Sequence, residues 1–131
     1  MEMIAKNCEL KLAIIGLGYV GLPLAVEFGT KQHLIGFDLK KSRVEELRNG
    51  FDRTQEISAE QLMAAKHLRF TDDINEIAES NVFIIAVPTP FKNSKNSKNK
   101  IPTPNISFVI EAVNSIIPFL EQGNLIILES T

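Results

Sequence analysis

Gly16-Leu17-Gly18-Tyr19-Val20-Gly21 reads G-x-G-x-x-G. Glycines at those spacings suit a loop that receives a pyrophosphate. The first permits a tight turn, the second lets phosphate approach the backbone with no side chain between, and the third lets a helix pack against the preceding strand. The N-terminus of that helix offers free N–H groups and partial positive charge. The pattern alone is weak, but it directly follows the apolar run Leu12-Ala13-Ile14-Ile15 and opens a helical pattern over Leu22 to Phe28. Asp38 stands seventeen positions after Gly21, at the end of a second apolar run, Leu34-Ile35-Gly36-Phe37. An acid there accepts hydrogen bonds from the adenosine ribose hydroxyls and repels a 2′-phosphate, which favours NAD over NADP. It can also cap the helix that starts near Lys40, and one residue can do both. Lys40, Lys41 and Arg43 complicate the choice, because a nearby cation can accommodate a 2′-phosphate. Arg43 has two readings: a cover over the adenine, or a surface ion pair with Glu46 one helical turn on.

Two further features fall where strands end. Val82 to Val87 is the strongest apolar run and closes in Val87-Pro88-Thr89-Pro90, whose prolines fix an extended exit and remove backbone donors. Leu125 to Leu128 closes in Glu129-Ser130-Thr131. Other tempting residues read as structural. His33 and His67 each precede a strand and have no neighbouring acid in sequence. Cys8 precedes the first strand in a region expected to fray. No spacing of His, Cys, Asp and Glu suggests a metal.

The elements that must position these groups alternate. Strand-length apolar runs at Leu12–Ile15, Leu34–Phe37, Leu68–Phe70, Val82–Val87 and Leu125–Leu128 are separated by helical patterns at 22–28, 42–48, 58–65 and 106–120, with a short amphipathic turn at Ile74, Ile77 and Ala78. Ser58 and Gln61 form a capping-box pattern. In the longest helix Val109, Ile110, Val113, Ile116 and Ile117 mark an apolar stripe, Asn105 is the cap, Pro118 an early end and Gly123 the stop. Runs apolar on both faces are buried parallel strands, and strand–helix alternation joins them by right-handed crossovers. The expected architecture is an α/β Rossmann fold: a doubly wound parallel sheet in the order 3-2-1-4-5, with helices on both faces. Leu125–Leu128, apolar on both faces, is expected to be a central strand and an association-prone edge wherever nothing pairs it. Gly50 to Ile57 is a polar connector. Lys92 to Lys100 is low-complexity, a solvated loop or a polyanion contact.

The chain has 131 residues, 44% hydrophobic and 23% charged, with net charge −2. That is one domain with a core large enough to need no staples. Nothing global draws it to nucleic acid or anionic membrane. One cysteine allows no internal disulfide, and no run is long enough to span a bilayer or serve as a signal peptide, so a cytoplasmic setting is expected.

Gly16 to Gly29 (GLGYVGLPLAVEFG), Asp38 with Arg43 five later, VPTP at 87–90 and EST at 129–131 resemble the UDP-glucose/GDP-mannose dehydrogenase family over nearly the whole chain. Residues 36–58 look most like members that oxidise UDP-N-acetylhexosamines for bacterial surface polysaccharide. The resemblance implies a two-step oxidation of a UDP-sugar C6 alcohol to a carboxylate with two NAD, through a thiohemiacetal on a cysteine that lies beyond Thr131. Residues 1–131 would then be the NAD-binding domain alone, without the catalytic and sugar-binding part, and inactive by itself. It also implies a homo-oligomer, and cofactor contacts at Gly16, Gly18, Tyr19, Val20, Gly21, Asp38, Arg43, Pro88, Thr89, Pro90, Ser130 and Thr131. Thr131 would support catalysis near the reacting centre. One departure is Pro104-Asn105-Ile106, where the family usually has Pro-Asp-Leu. Two other functions fit the residues: an NAD-dependent dehydrogenase of the hydroxyacid type, and a regulatory domain that senses a dinucleotide without chemistry.

Overall fold

The computed structural model describes residues 9–92 and 102–130. The expectations for Cys8, for residues 93–100 of the lysine-rich stretch and for Thr131 lie outside the described residues. In chain order the elements are β1 (Leu12–Ile15), α1 (Gly21–Gly29), β2 (Leu34–Phe37), α2 (Lys41–Arg48), α3 (Ala59–Ala64), β3 (Leu68–Thr71), a 3₁₀ turn (Ile74–Ile77) and β4 (Val82–Ile85). Then come β5 (Phe91–Lys92), β6 (Thr103–Pro104), α4 (Ser107–Ile116), a second 3₁₀ turn (Ile117–Phe119) and β7 (Leu125–Leu128). β5 and β6 pair only with each other, antiparallel. The other five strands form one parallel sheet, β3-β2-β1-β4-β7, with matched registers: Leu12 lies beside Leu34 on one side and Val82 on the other. This is the expected 3-2-1-4-5 order, its fifth member being β7.

The alternation along β1 shows why both faces must be apolar. Leu12 and Ile14 join a core with Leu22, Ala25 and Val26 of α1, Val44 and Leu47 of α2 and Leu62 of α3. Ala13 and Ile15 join a second core with Phe37, Phe83, Ile77 and, from α4, Ala112 and Ile116. Successive strand side chains point to opposite faces, so helices cover both.

Four expectations need correction. β4 stops at Ile85, two residues short of its apolar run: Ala86 still donates its N–H to the Ile15 carbonyl, at 2.8 Å, and Pro88 then offers no donor to continue the ladder. The last helix ends at Ile116, because a proline at 118 clashes with helical geometry and carries the chain into a 3₁₀ turn. Its buried stripe is also rotated. Ala112 and Ile116 are buried, whereas Ile110 and Ile117 are 51% and 53% exposed. The cap position of the last helix falls on Ile106, one residue later than expected, although the Asn105 Oδ1 still accepts from the Ser107 N–H at 3.1 Å; the Ser58–Gln61 capping box forms as expected.

The polar connector between α2 and α3 is folded around one buried carboxylate. Asp52 accepts from the Thr54 N–H and hydroxyl (3.0 and 2.7 Å) and from the N–H groups of Glu56 and Ile57 (both 3.0 Å), and it faces Arg43. Burial alone would raise its carboxyl pKa. The bonds from Thr54, Arg43 and Ile57 outweigh burial and bring it from 3.8 down to about 2.

Two outcomes follow from these features. β7 is paired only with β4 among the described residues, and Leu125, Ile126 and Leu128 are 53%, 40% and 58% exposed. The 131-residue chain should self-associate through this strand. Light scattering over a concentration series should show it, and Ile126→Lys should reduce it. A strictly monomeric wild type would rule out an association-prone edge. The second outcome concerns pH. A carboxyl whose folded pKa is depressed contributes stability above its unfolded pKa and loses that contribution as pH falls through the folded one. Asp52→Asn should therefore melt below wild type at neutral pH, by about 3 kcal/mol of stability. The two melting curves should converge as pH falls from 3.8 towards about 2. A gap that stays constant across that window would mean that ionised Asp52 adds nothing.

Candidate cofactor-binding site

β1 runs between β2 and β4, so the turn that leaves it has neighbours on both sides. Gly16 has φ +101°, and a Cβ on it would meet the Ala86 carbonyl oxygen at 2.8 Å. Its N–H donates to the Phe37 carbonyl at 2.8 Å. A Cβ on Gly21 would collide with the Gly16 carbonyl and come within 3.2 Å of the Ala86 side chain, so the third glycine closes the loop on itself and on the end of β4. Gly18 differs: a Cβ there would meet nothing within 4 Å. Its bare backbone therefore borders open space. Val20, at the cap of α1, supplies no side-chain hydrogen bond, and the first turn holds no acid. The helix N-terminus is left for an external anion.

Asp38 sits just past β2 with both oxygens engaged. Oδ2 accepts from the Leu17 N–H at 3.0 Å and Oδ1 from the Lys40 N–H at 2.9 Å. It thus braces the glycine turn and the entry to α2, while Lys40 is the cap of that helix. Each carboxylate oxygen keeps a lone pair for a further donor.

These groups line a cleft of about 540 Å³ at the carboxyl ends of the strands. Gly16, Leu17 and Gly18 form its floor. One wall carries Asp38, Leu39, Lys40, Ser42, Arg43, Arg53 and Thr54, and the other Val87, Pro88, Phe108, Glu111, Ala112 and Ser115. Of the expected cofactor residues, the structure brings Gly16, Gly18, Asp38, Arg43 and Pro88 together in this lining. It does not bring Tyr19, Val20, Gly21, Thr89, Pro90 or Ser130 there. Tyr19 is 69% exposed, Gly21 acts through packing, and the Ser130 hydroxyl lies 3.4 Å from the Ile85 carbonyl. Residues 108, 111, 112 and 115 follow helical spacing on one stripe of α4. That periodicity is present in the sequence, but its mixed polarity keeps apolar spacing alone from marking it. Arg53 and Thr54 belong to the connector, whose polar composition gave no hint that it reaches the cleft.

Arg43 takes the ion-pair arrangement, and takes it buried. Its Nη1 lies 2.6 Å from Glu46 and 2.8 Å from Asp52, and its Nε donates to the Leu17 carbonyl at 2.9 Å. Burial works against its charge, and the two carboxylates outweigh it and raise its pKa. Glu46 is lowered in the same way: burial opposes its charge, and Arg43 and Arg53 outweigh it. The charge of Arg43 is therefore matched within the protein.

His33 and His67 pack edge to face, ring centroids 4.6 Å apart, before β2 and β3 at the opposite end of the sheet. Among the described residues no three His, Cys, Asp or Glu side chains are placed to hold a metal, and no helix is long and apolar enough to cross a membrane. The groups present fit a dinucleotide: a cradle without a side chain and an uncapped helix N-terminus that offer N–H donors, and an acceptor, Asp38, at the end of the neighbouring strand.

Comparison with known proteins agrees with that geometry. Residues 10–131 match the model of the UDP-glucose/GDP-mannose dehydrogenase family, NAD binding domain. The chain is 44% identical over 123 residues to a UDP-N-acetyl-D-glucosamine 6-dehydrogenase of Pseudomonas aeruginosa, covering 94% of this chain and 28% of that protein. It is 37% identical to a UDP-N-acetyl-D-mannosamine dehydrogenase of Methanococcus vannielii, covering 100% of this chain and 30% of that one. Among solved structures, the UDP-N-acetyl-mannosamine dehydrogenase Cap5O of Staphylococcus aureus superposes with TM-score 0.74 at 34% identity, over 92% of this chain and 29% of that one. The chain spans a little over a quarter of the length of these relatives. It belongs to the UDP-glucose/GDP-mannose dehydrogenase family, as an NAD-binding domain.

Proposed function

We propose that residues 1–131 are the cofactor half of an NAD-dependent nucleotide-sugar 6-dehydrogenase, whose catalytic and sugar-binding part lies on further polypeptide. The observation that carries the NAD part is the cleft itself, with open space above Gly18 and an acid, Asp38, joined to the same turn. The substrate reading rests on relatives that act on UDP-N-acetylhexosamines. The reaction is oxidation of the sugar C6 alcohol to an aldehyde and, after addition of water, to a carboxylate. Each oxidation removes the equivalent of one hydride from the sugar carbon; the first also releases one proton and the second two, one of them from ionisation of the carboxylic acid. NAD supplies the hydride acceptor when bound. The chain's own residues bind and orient it: the Gly18 region and the α1 N-terminus receive the pyrophosphate, and Asp38 receives the ribose hydroxyls. As the family resemblance implies, Tyr19, Val20, Thr89, Pro90, Ser130 and Thr131 complete the cofactor contacts, and Thr131 has a supporting role in catalysis. The product would feed surface polysaccharide synthesis in the cytoplasm, and the whole enzyme would be a homo-oligomer.

Calorimetric titration of the 131-residue chain should show NAD binding. An assay of the same chain with UDP-N-acetylglucosamine and NAD should show no rise in NADH absorbance, because no cysteine is among the described residues that line the cleft. NADH formed by this chain alone would overturn the division of labour, and absence of NAD binding would overturn the cofactor reading. The parent protein should form two NADH per UDP-N-acetylhexosamine consumed.

Asp38→Ala should weaken NAD binding by about tenfold or more, since each hydrogen bond to a charged acceptor is worth about 1.5 to 3 kcal/mol. It should also narrow the gap between NAD and NADP, because the repulsion of a 2′-phosphate is lost. A variant that melts like wild type and binds NAD equally well would leave Asp38 with only its brace on the Leu17 and Lys40 amides.

A further inference from the structure

Leu17, in the middle of the glycine loop, is held at both of its backbone polar atoms, which lie in successive peptides, by different parts of the chain. The Leu17 N–H is held by Asp38 and the Leu17 carbonyl by Arg43 Nε, at 3.0 and 2.9 Å. That carbonyl and the Gly18 N–H belong to one planar trans peptide, in which C=O and N–H point in opposite directions. A donor that fixes the carbonyl therefore fixes the Gly18 N–H on the far side, and Gly18 borders the open cleft. The position of the Arg43 guanidinium therefore sets the orientation of the Gly18 N–H.

Arg43 is itself held from outside the nucleotide loop. It is 7% exposed, and its Nη2 is buried without a partner. Its orientation rests on Nε and on the two carboxylates at Nη1, Glu46 and Asp52. Glu46 is shared with Arg53, a side chain 63% exposed. Asp52 is the firmer of the two anchors: its side chain is fully buried and four connector donors fix its oxygens.

We propose that Asp52 is a positioning residue for the cofactor: acting through Arg43, it holds the Leu17–Gly18 peptide so that the Gly18 N–H faces the pyrophosphate. This rests on NAD occupying the cleft. The polar connector then has a function. It carries the anchor that tunes a loop more than thirty residues earlier in the chain.

A double-mutant cycle on NAD affinity tests it, each variant being checked by thermal melting. Asp52→Asn keeps the shape and removes the charge. It should weaken NAD binding by about tenfold, the loss expected for one charge-assisted hydrogen bond. Arg43→Ala should weaken it at least as much. The double variant should bind no worse than Arg43→Ala alone, because Asp52 has no other route to the cofactor. A purely structural Asp52 would lower the melting temperature and leave affinity in the folded protein unchanged. That result, or losses that simply add in the double variant, would overturn the proposal. If Asp52→Asn does not fold, Thr54→Val asks the same question with both charges in place. It should weaken NAD binding by about threefold in the wild-type background and not at all with Arg43→Ala. Wild-type affinity in Thr54→Val would then overturn the proposal. Failure of the wild-type chain to bind NAD would instead remove the cofactor reading on which this rests.

Discussion

The site depends on a steric constraint at one residue. β1 is flanked by β2 and β4, and the chain leaving it must turn at Gly16 with the Ala86 carbonyl where a Cβ would be. Only a residue without a side chain, at positive φ, passes there. The same turn hangs from the Phe37 carbonyl through the Gly16 N–H. Once it is made, α1 must start at the carboxyl edge of the sheet with its first amides towards the cleft. The position of the phosphate cradle thus follows from strand order and one backbone clash, before any ligand contact is considered.

Around that turn the structure uses charges in pairs. Arg43 and Arg53 face Glu46 and Asp52, two cations against two anions. Buried charges are tolerated only when matched and hydrogen-bonded, and Arg43 meets both conditions through three acceptors. The arrangement ties α2, the connector and the glycine loop into one unit. Arg48 extends the tie to β3, with Nε and Nη2 both donating to the Phe70 carbonyl. Loops at the carboxyl edge are thereby held to the sheet by side chains where no backbone ladder reaches.

The fold was legible in the sequence because its signals are local and strong. Four-residue apolar runs, a glycine motif after the first of them, and the Ser58–Gln61 box each specify an element without knowledge of the rest. What was hidden depends on distance in the chain. Asp52 reads as one more polar residue in a connector, and nothing near it reveals that its carboxylate meets an arginine nine positions back inside the protein. The cleft wall on α4 was hidden for a related reason. Phe108, Glu111 and Ser115 share a stripe with buried Ala112, so a search for apolar periodicity alone favours Ile110 and Ile117, which the fold leaves exposed. Tyr19 shows the converse: the motif marks it strongly, yet its side chain is exposed and lies outside the cleft lining.

The same pairing bears on which dinucleotide the cleft prefers. From sequence, Arg43 could have served a 2′-phosphate. In the structure its charge is already matched by Glu46 and Asp52, and its Nε is spent on the Leu17 carbonyl. Recruiting it to a phosphate would leave Asp52 buried without its cationic partner, which is costly. Arg53 and Lys40 remain on the wall, but Arg53 is bound to Glu46. Asp38 is different in kind: an acceptor-only group whose oxygens each hold one backbone amide and keep capacity for one more donor. A ribose with two free hydroxyls would satisfy that capacity, whereas a 2′-phosphate would bring further negative charge to a carboxylate that cannot move without releasing the Leu17 amide. The preference for NAD therefore follows from the bracing of the turn itself, since the residue that would have to give way is one that holds the phosphate loop in place.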